Sequence, residues 1–286
     1  MKAVGIIPAR YAATRFEGKV LANLCGKPVI QHVWENAKAA RALDELLVAA
    51  DDERIIKAVE SFGGKAIFTA KEHASGTDRL REIANPLDVD IVVNIQADEP
   101  LLQPSMINEL VRALSEDKDN IIPMATLMKK INNTEELNNP NVVKVVVDKD
   151  NFALYFSRKT IPFYRQFDSR QYYKHIGLYS YTKDFLFTFA NLPASSLEKA
   201  EGLEQLRALE NGYKIKVLET PYDTVGIDTP EDLVAAEKVL TKGMSPSSES
   251  IQNVSTESTS VEGEFLPEVD QSQAGAHGEG NEIQND

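Results

Sequence analysis

The sequence predicts an α/β protein built on a largely parallel sheet, and three observations carry that expectation. Apolar runs of strand character alternate with segments of helical periodicity through the first half. The stretches between successive strands are long enough to hold a crossover helix. Polar and glycine-bearing turns punctuate the elements. Units of this kind set strands side by side in one direction, with right-handed crossovers covering both faces.

Each element can be justified in order. AVGIIPA at residues 3–9 reads as a buried strand, and residues 27–40 carry Ile30, Val33 and Ala37 at helical spacing. ELLVAA at 45–50 is a second strand; the helix after it puts Ile55, Val59 and Phe62 on one face and stops at Gly63-Gly64. KAIFTA at 65–70 is a third strand, residues 77–84 a short helix, and DIVVNI at 90–95 a fourth, strongly apolar strand. Pro104 opens a helix whose Ile107, Val111 and Leu114 share a face.

The second half changes character. Residues 141–147 and 152–157 flank a polar turn at 148–151 and read as a hairpin. KHIGLYSY at 174–181 is a further strand, Leu203, Leu206 and Leu209 mark a helix, and KIKVLE at 214–219 is a late strand. The last helix, 228–240, starts with Thr229 as N-cap, Pro230 in its first turn and Asp232 three residues on. There is no internal repeat.

A chain of 286 residues has room for a sizeable core. Its net charge of −13 argues against a nucleic-acid surface, which needs a basic face. Much of that excess follows Gly243, where nine carboxylates meet no Lys or Arg. Periodicity also ends there, in Ser, Glu, Gln and Gly, so 1–243 is expected to be the folded domain and 244–286 a disordered acidic tail. The lone Cys25 cannot form an internal disulfide, suits a reducing compartment and reads as packing. The apolar run behind Lys2 is short and meets Arg10 at once, unlike a signal peptide, and no run reaches the roughly 18 residues of a spanning helix. A cytoplasmic location without membrane insertion is expected.

Chemistry concentrates where strands end. PARYAATRFEGK at 8–19 puts Arg10, Arg15 and Lys19 into a loop leaving the first strand at its carboxyl edge, where open parallel sheets bind ligands. Neither G-x-G-x-x-G nor GK[ST] is present, so a phosphate there must be held by side chains. The fourth strand runs straight into Gln96, Asp98 and Glu99, stopped by Pro100. Carboxylates so delivered suit a hard divalent cation such as magnesium. Asp228, just ahead of the capped last helix, offers a second acidic ligand. Asp88-Val89-Asp90 copies a D-x-D metal pattern but precedes its strand, at the wrong edge.

Seven segments in order, IIPARYAATRFEGKVLANLCGKPVIQHV, HASGTDRL, VVNIQADEP, ALYFSRKTIP, KHIGLYSY, LEQLRALENG and GIDTPEDL, closely resemble the 3-deoxy-manno-octulosonate cytidylyltransferases from about residue 3 to residue 240. The resemblance implies a nucleotide-diphospho-sugar transferase type α/β sandwich, with a smaller β-rich lobe supporting a homodimer. It implies transfer of CMP from CTP to 3-deoxy-D-manno-octulosonate (Kdo) with release of pyrophosphate, for lipopolysaccharide synthesis, with Mg²⁺ as cofactor. Carried over, Arg10, Thr14, Arg15 and Lys19 would hold the CTP phosphates, and Ser75, Gly76 and Thr77 would face the cytosine. Arg79 and Gln96 would line the junction of nucleotide and sugar, and Asp98 and Asp228 would bind the metal and, with Lys19, carry catalysis. Arg158, His175, Tyr179, Glu204 and Gln205 match the sugar side.

Three positions depart from the pattern: Ala97 for a usual Gly, Glu17 for a usual Pro, and Ala50 for a common Thr. An 8-amino Kdo analogue or sialate as substrate, or a non-catalytic nucleotide-binding scaffold, are the alternatives.

Overall fold

The computed structural model describes residues 1–70, 76–166 and 170–244. The chain opens with β1 (Ala3–Ala9), a 3-10 turn at Lys19–Leu21, the small ladder of β2 (Asn23–Leu24) and β3 (Lys27–Pro28), and α1 (Val29–Lys38). Next come β4 (Glu45–Ala50), α2 (Glu53–Ser61), β5 (Ala66–Phe68), α3 (Gly76–Ala84), β6 (Ile91–Asn94) and α4 (Pro104–Ser115). The second half holds β7 (Met124–Lys130), α5 (Thr134–Asn138), β8 (Lys144–Val147), β9 (Ala153–Ser157) and β10 (Tyr173–Thr182). It closes with α6 (Lys183–Asn191), α7 (Ser196–Glu201), α8 (Leu206–Glu210), β11 (Ile215–Glu219) and α9 (Pro230–Met244).

The central sheet has the order β11-β7-β10-β6-β1-β4-β5. β1 lies parallel to β4 and β6, β4 to β5, and β7 to β11, whereas β10 runs antiparallel to β6 and β7. The sheet is therefore mostly parallel, as expected. Alternation along β1 divides its side chains between two cores. Ala3, Ile7 and Ala9 join Ile30, Val33, Ile55 and Ile107 of α1, α2 and α4. Val4 and Ile6 join Leu80, Phe185 and Leu206 of α3, α6 and α8. Burying one such side chain contributes roughly 1.5–3 kcal/mol, which is why β1 reads as an unbroken apolar run.

β7, α5, α6 and α7 have no counterpart in the sequence reading above. Met124–Met128 of β7 is buried on both faces, so the run shows no alternation to mark it as a strand. The α6 sequence KDFLFTFAN is rich in aromatics of strand propensity, and its helix is started by the Thr182 hydroxyl accepting from Phe185 N. The hairpin of β8 and β9 forms as expected, but it is hydrogen-bonded to β10 and belongs to the central sheet.

Two features of this topology make a site. β4 and β6 flank β1, so the loops after β1 and β6 diverge and open a crevice at the carboxyl edge. On one side of β10, β8 pairs with Tyr173 and Lys174 while β6 pairs with Tyr179–Thr182. The stretch between them, with a bulge between Ile176 and Tyr179 in its register with β7, leaves a notch continuous with the sheet edge.

Candidate active site

Lys19 is placed by its neighbours in the chain. Gly18 adopts a left-handed φ of 67° and caps the 3-10 turn that begins at Lys19. A Cβ there would come within 3.1 Å of the Tyr11 ring, so glycine is required on both counts. Gly18 N also donates to Tyr11 O at 2.8 Å, closing residues 11–18 into a loop. From that turn the Lys19 ammonium reaches Asp98 Oδ2 at 2.5 Å and Asp228 Oδ1 at 2.8 Å. Arg15 holds the other oxygen, Oδ2, of Asp228 at 2.8 Å.

The two aspartates come from distant loops joined by one backbone bond, Ile227 N to Asp98 O at 2.9 Å. Asp228 is followed by the expected cap: Asp232 accepts from the backbone N–H groups of Asp228 and Thr229, and Thr229 Oγ1 accepts from Asp232 N. Burial disfavours the charge on Lys19, but Asp98 and Asp228 outweigh it and its ammonium titrates above the ordinary lysine value. Burial likewise raises Asp228, yet the hydrogen bond and charge of Lys19, with Arg15, bring it below the ordinary aspartate value. Next door, burial and the charge of Asp98 push Glu99 up to about 8.

Three cavities meet around this cluster. One, of about 290 Å³, is lined by Arg10, Lys19, Gly76, Gln96 and Asp98. A second, of about 210 Å³, shares Gly76 and Gln96 and adds Thr77, Tyr179, Glu204 and Gln205. The third, about 660 Å³, carries Arg15, Arg158, His175 and Asp228 along the notch beside β10. Gln96 ties cleft to notch by donating from Nε2 to Gly177 O at 3.2 Å. Most residues expected at the site are thus brought together. Thr14 is exposed on the loop, and Ser75 lies outside the described residues.

Arg79 and Arg158 differ from expectation. Arg79 has no exposed surface: it donates to Asp51 at 3.3 Å and to Thr69 Oγ1, beneath the opening loop rather than at a ligand junction. Burial lowers its pKa, with the charge of Arg10 adding to this and Asp51 and Glu82 opposing it. Arg158 donates from Nε to Glu201 O, from Nη1 to Pro140 O and from Nη2 to Gly202 O. It clamps the cavity wall through backbone carbonyls.

The sugar-side candidates show three kinds of polar surface. Thr77 Oγ1 donates to Glu204 Oε2 at 2.9 Å, while the buried Glu204 Oε1 has no hydrogen-bond donor. Burial raises the Glu204 carboxyl above its ordinary value, and Thr77 and Arg207 offset this only in part. His175 packs against Phe156 and Tyr179. Burial lowers its pKa to about 3, so the ring is neutral. Its Nε2 lies 2.9 Å from Thr126 Oγ1, which is also within hydrogen-bonding distance of the carbonyls of Ile176 and Leu178. Burial raises the Tyr179 hydroxyl, which stays protonated.

Sequence reasoning missed Asp51 and Thr126. Asp51 Oδ1 accepts from Tyr11 N at 3.0 Å while Oδ2 takes Arg79, so it braces the loop from below. The signal was the carboxylate directly after an apolar strand, as at Asp98. Thr126 sits on the strand that was not read, although IIPMATLM is an apolar run. The departures are accommodated. Ala97 is not among the non-glycine residues with positive φ, so its backbone needs no glycine, and its methyl lines the cavity beside Asp98. Glu17 is exposed and its charge is felt by Arg54. Cys25 is half-buried against the cluster of Leu24, Val29 and Ile227, as packing. Asp88 and Asp90 pair with the side chain and backbone of Lys2, at the opposite edge of the sheet from the cleft.

An open, mostly parallel sheet with cations and carboxylates at its switch point is an arrangement that can take up a charged ligand. The family description "Cytidylyltransferase" matches residues 4–215. A 3-deoxy-manno-octulosonate cytidylyltransferase of Geotalea uraniireducens is 52% identical over 228 residues, covering 76% of this chain and 90% of that one. Another, from Thermodesulfovibrio yellowstonii, is 51% identical over 254 residues, covering 84% and 98%. The solved structure of a CMP:2-keto-3-deoxy-manno-octonic acid synthetase complexed with CTP superposes with a TM-score of 0.81 at 42% identity, over 85% of this chain and all of that one. A cytidylyltransferase from Leptospira borgpetersenii, at 15% identity and TM-score 0.54, shares the fold. The chain belongs to the cytidylyltransferase family, and within it to the 3-deoxy-manno-octulosonate cytidylyltransferases. It is a nucleotidyltransferase.

Proposed function

We propose that this chain transfers CMP from CTP to the anomeric hydroxyl of Kdo, giving CMP-Kdo and pyrophosphate for lipopolysaccharide synthesis. The observation that carries the reading is the junction of Lys19, Asp98 and Asp228 at the switch point of a fold shared with a synthetase solved with CTP. The sugar oxygen attacks the α-phosphorus in line. A new P–O bond forms as the hydroxyl gives its proton to solvent, and the bond to the β-phosphate breaks with pyrophosphate taking the electron pair.

Arg10, Arg15 and Lys19 surround the cavity at the loop and offset charge growing on the leaving group. Thr14, on the same loop, is offered to the phosphates, and Ser75, Gly76 and Thr77 to the cytosine. Gln96 bridges the two sides, and Tyr179, Glu204, Gln205 and the neutral His175 present donors and acceptors to a polyhydroxylated acid. Arg79 acts from below, through Asp51 and the loop. Holding the reactants in line supplies much of the acceleration in such transfers.

Asp98 and Asp228 converge on one cationic point, and their hard carboxylate oxygens would hold a divalent cation, Mg²⁺ in this reading. Among the described residues no three or more His, Cys, Asp or Glu side chains form a cluster that would hold an ion. Held by Asp98 and Asp228, such an ion would supply Lewis-acid activation of the attacking hydroxyl.

No helix among the described residues is long and apolar enough to cross a membrane, and a cytoplasmic enzyme fits nucleotide-dependent chemistry. A homodimer belongs to the same reading. Leu154 and Phe163, 61% and 91% exposed on and beyond β9, offer an apolar face for it.

Pyrophosphate release from CTP tests the proposal. Kdo with Mg²⁺ is expected to give turnover, and sialate none. Preference for the 8-amino analogue would reassign the sugar. No release with any acidic sugar would leave a nucleotide-binding scaffold.

A further inference from the structure

Lys19 belongs to two sites at once. It lines the cavity assigned to the triphosphate, and its ammonium bridges the two carboxylates assigned to the metal. One ammonium cannot serve both at once. We infer that Lys19 is a built-in place-holder for the divalent cation: it keeps Asp98 and Asp228 converged until the metal arrives, and is then released onto the phosphates. The inference rests on the metal reading of these two aspartates.

The geometry supports an exchange rather than a fixed ion pair. The backbone of Lys19 is fixed by the left-handed Gly18 and the 3-10 turn, whereas its side chain has four rotatable bonds and ends beside the cavity it also lines. Swinging the ammonium from carboxylates to phosphates needs no movement of the loop. Charge points the same way. Lys19 and Arg15 are both held by the aspartates, two cations against two anions, so the cluster shows little net charge to an arriving triphosphate. A metal that takes the carboxylates frees Lys19, the cation that bridges both of them, for the nucleotide.

This makes metal and nucleotide mutually dependent. Each displaces or recruits the same side chain, so each tightens the other, by the same factor in both directions. A competitor that holds the site in nine molecules of ten lowers apparent metal affinity about tenfold.

Mn²⁺ binding to the nucleotide-free protein, read by electron paramagnetic resonance or calorimetry, tests this without turnover. Lys19→Met is expected to bind Mn²⁺ alone about tenfold tighter than wild type, and CTP should then enhance Mn²⁺ binding less than in wild type. Arg15→Met removes a cation equally near Asp228 that touches one carboxylate only, so it should shift affinity no more than about twofold. Lys19→Gln provides a second variant, with circular dichroism as the check on folding. Unchanged or weaker Mn²⁺ binding in both Lys19 variants, or an equal gain in Arg15→Met, overturns the place-holder. If Asp98→Asn binds Mn²⁺ like wild type with and without CTP, the metal reading itself falls, and the place-holder with it.

Discussion

At Lys19 a single cation answers two carboxylates, so the contributions of Asp98 and Asp228 cannot be independent. Asp98→Asn and Asp228→Asn keep side-chain size and remove the charge that a hard cation needs. Each is expected to abolish most CMP-sugar formation, and the double variant to cost far less than the sum of the two free energies. Additive losses across a Mg²⁺ titration would separate the residues. Lys19→Met should lose roughly 2–4 kcal/mol of transition-state stabilisation, the scale of one strong electrostatic donor, with the fold unaltered. Activity within about twofold of wild type would remove Lys19 from the phosphates. His175 adds a prediction about stability. Its folded pKa of about 3 lies below the unfolded value of 6.5, so between those limits the unfolded chain binds the extra proton. Stability is full above pH 6.5 and falls on acidification, with a slope of at most about 1.4 kcal/mol per pH unit from this group. His175→Gln should flatten urea-derived stability between pH 4 and 6.5, and an unchanged profile would count against a neutral buried ring.

Among elements, the opening loop depends on supports that do not touch the cleft. Tyr11 is held from three sides: Asp51 accepts its N–H, the Arg54 guanidinium sits 3.3 Å over its ring, and Gly18 closes against it. Asp51 in turn is held by Arg79. Asp51→Asn is expected to raise KM for CTP several-fold and lower Tm, because it leaves a buried guanidinium without its charge partner. A change in kcat alone would contradict a positioning role. Thr229→Ala should cost about 1 kcal/mol at the start of α9 by removing its cap, read as a shift in urea midpoint. These elements also mark what was legible beforehand. Arg10, Lys19, Asp98 and Asp228 could be read because strands in an open parallel sheet deliver their loops to one edge, whatever the rest of the chain does. Arg79 could not. A charged residue in the first turn of a helix looks exposed, and its burial depends on Asp51 arriving from another strand. β7 escaped for the opposite reason: with both faces covered it has no periodicity, and with it went Thr126, the hydrogen-bond partner of His175.

For the molecule as a whole, every residue assigned to chemistry lies between Arg10 and Asp228, ahead of the acidic segment, and all but Asp228 fall within residues 4–215 matched by the family. Truncation after Met244 should therefore leave Tm and turnover unchanged, and a loss of either would assign the acidic segment a docked role. The assembly is open to the same kind of test: light scattering should give twice the chain mass, and Phe163→Ser with Leu154→Ser should shift it toward one. The single bond from Ile227 N to Asp98 O has a further meaning in time. A chain emerging from the ribosome can pair β1, β4, β5 and β6 early, but Asp98 meets its counterpart only once residue 228 has been made. Chains stalled during synthesis before residue 228 has emerged should thus show secondary structure without activity. Function in this protein is a late event in its own synthesis.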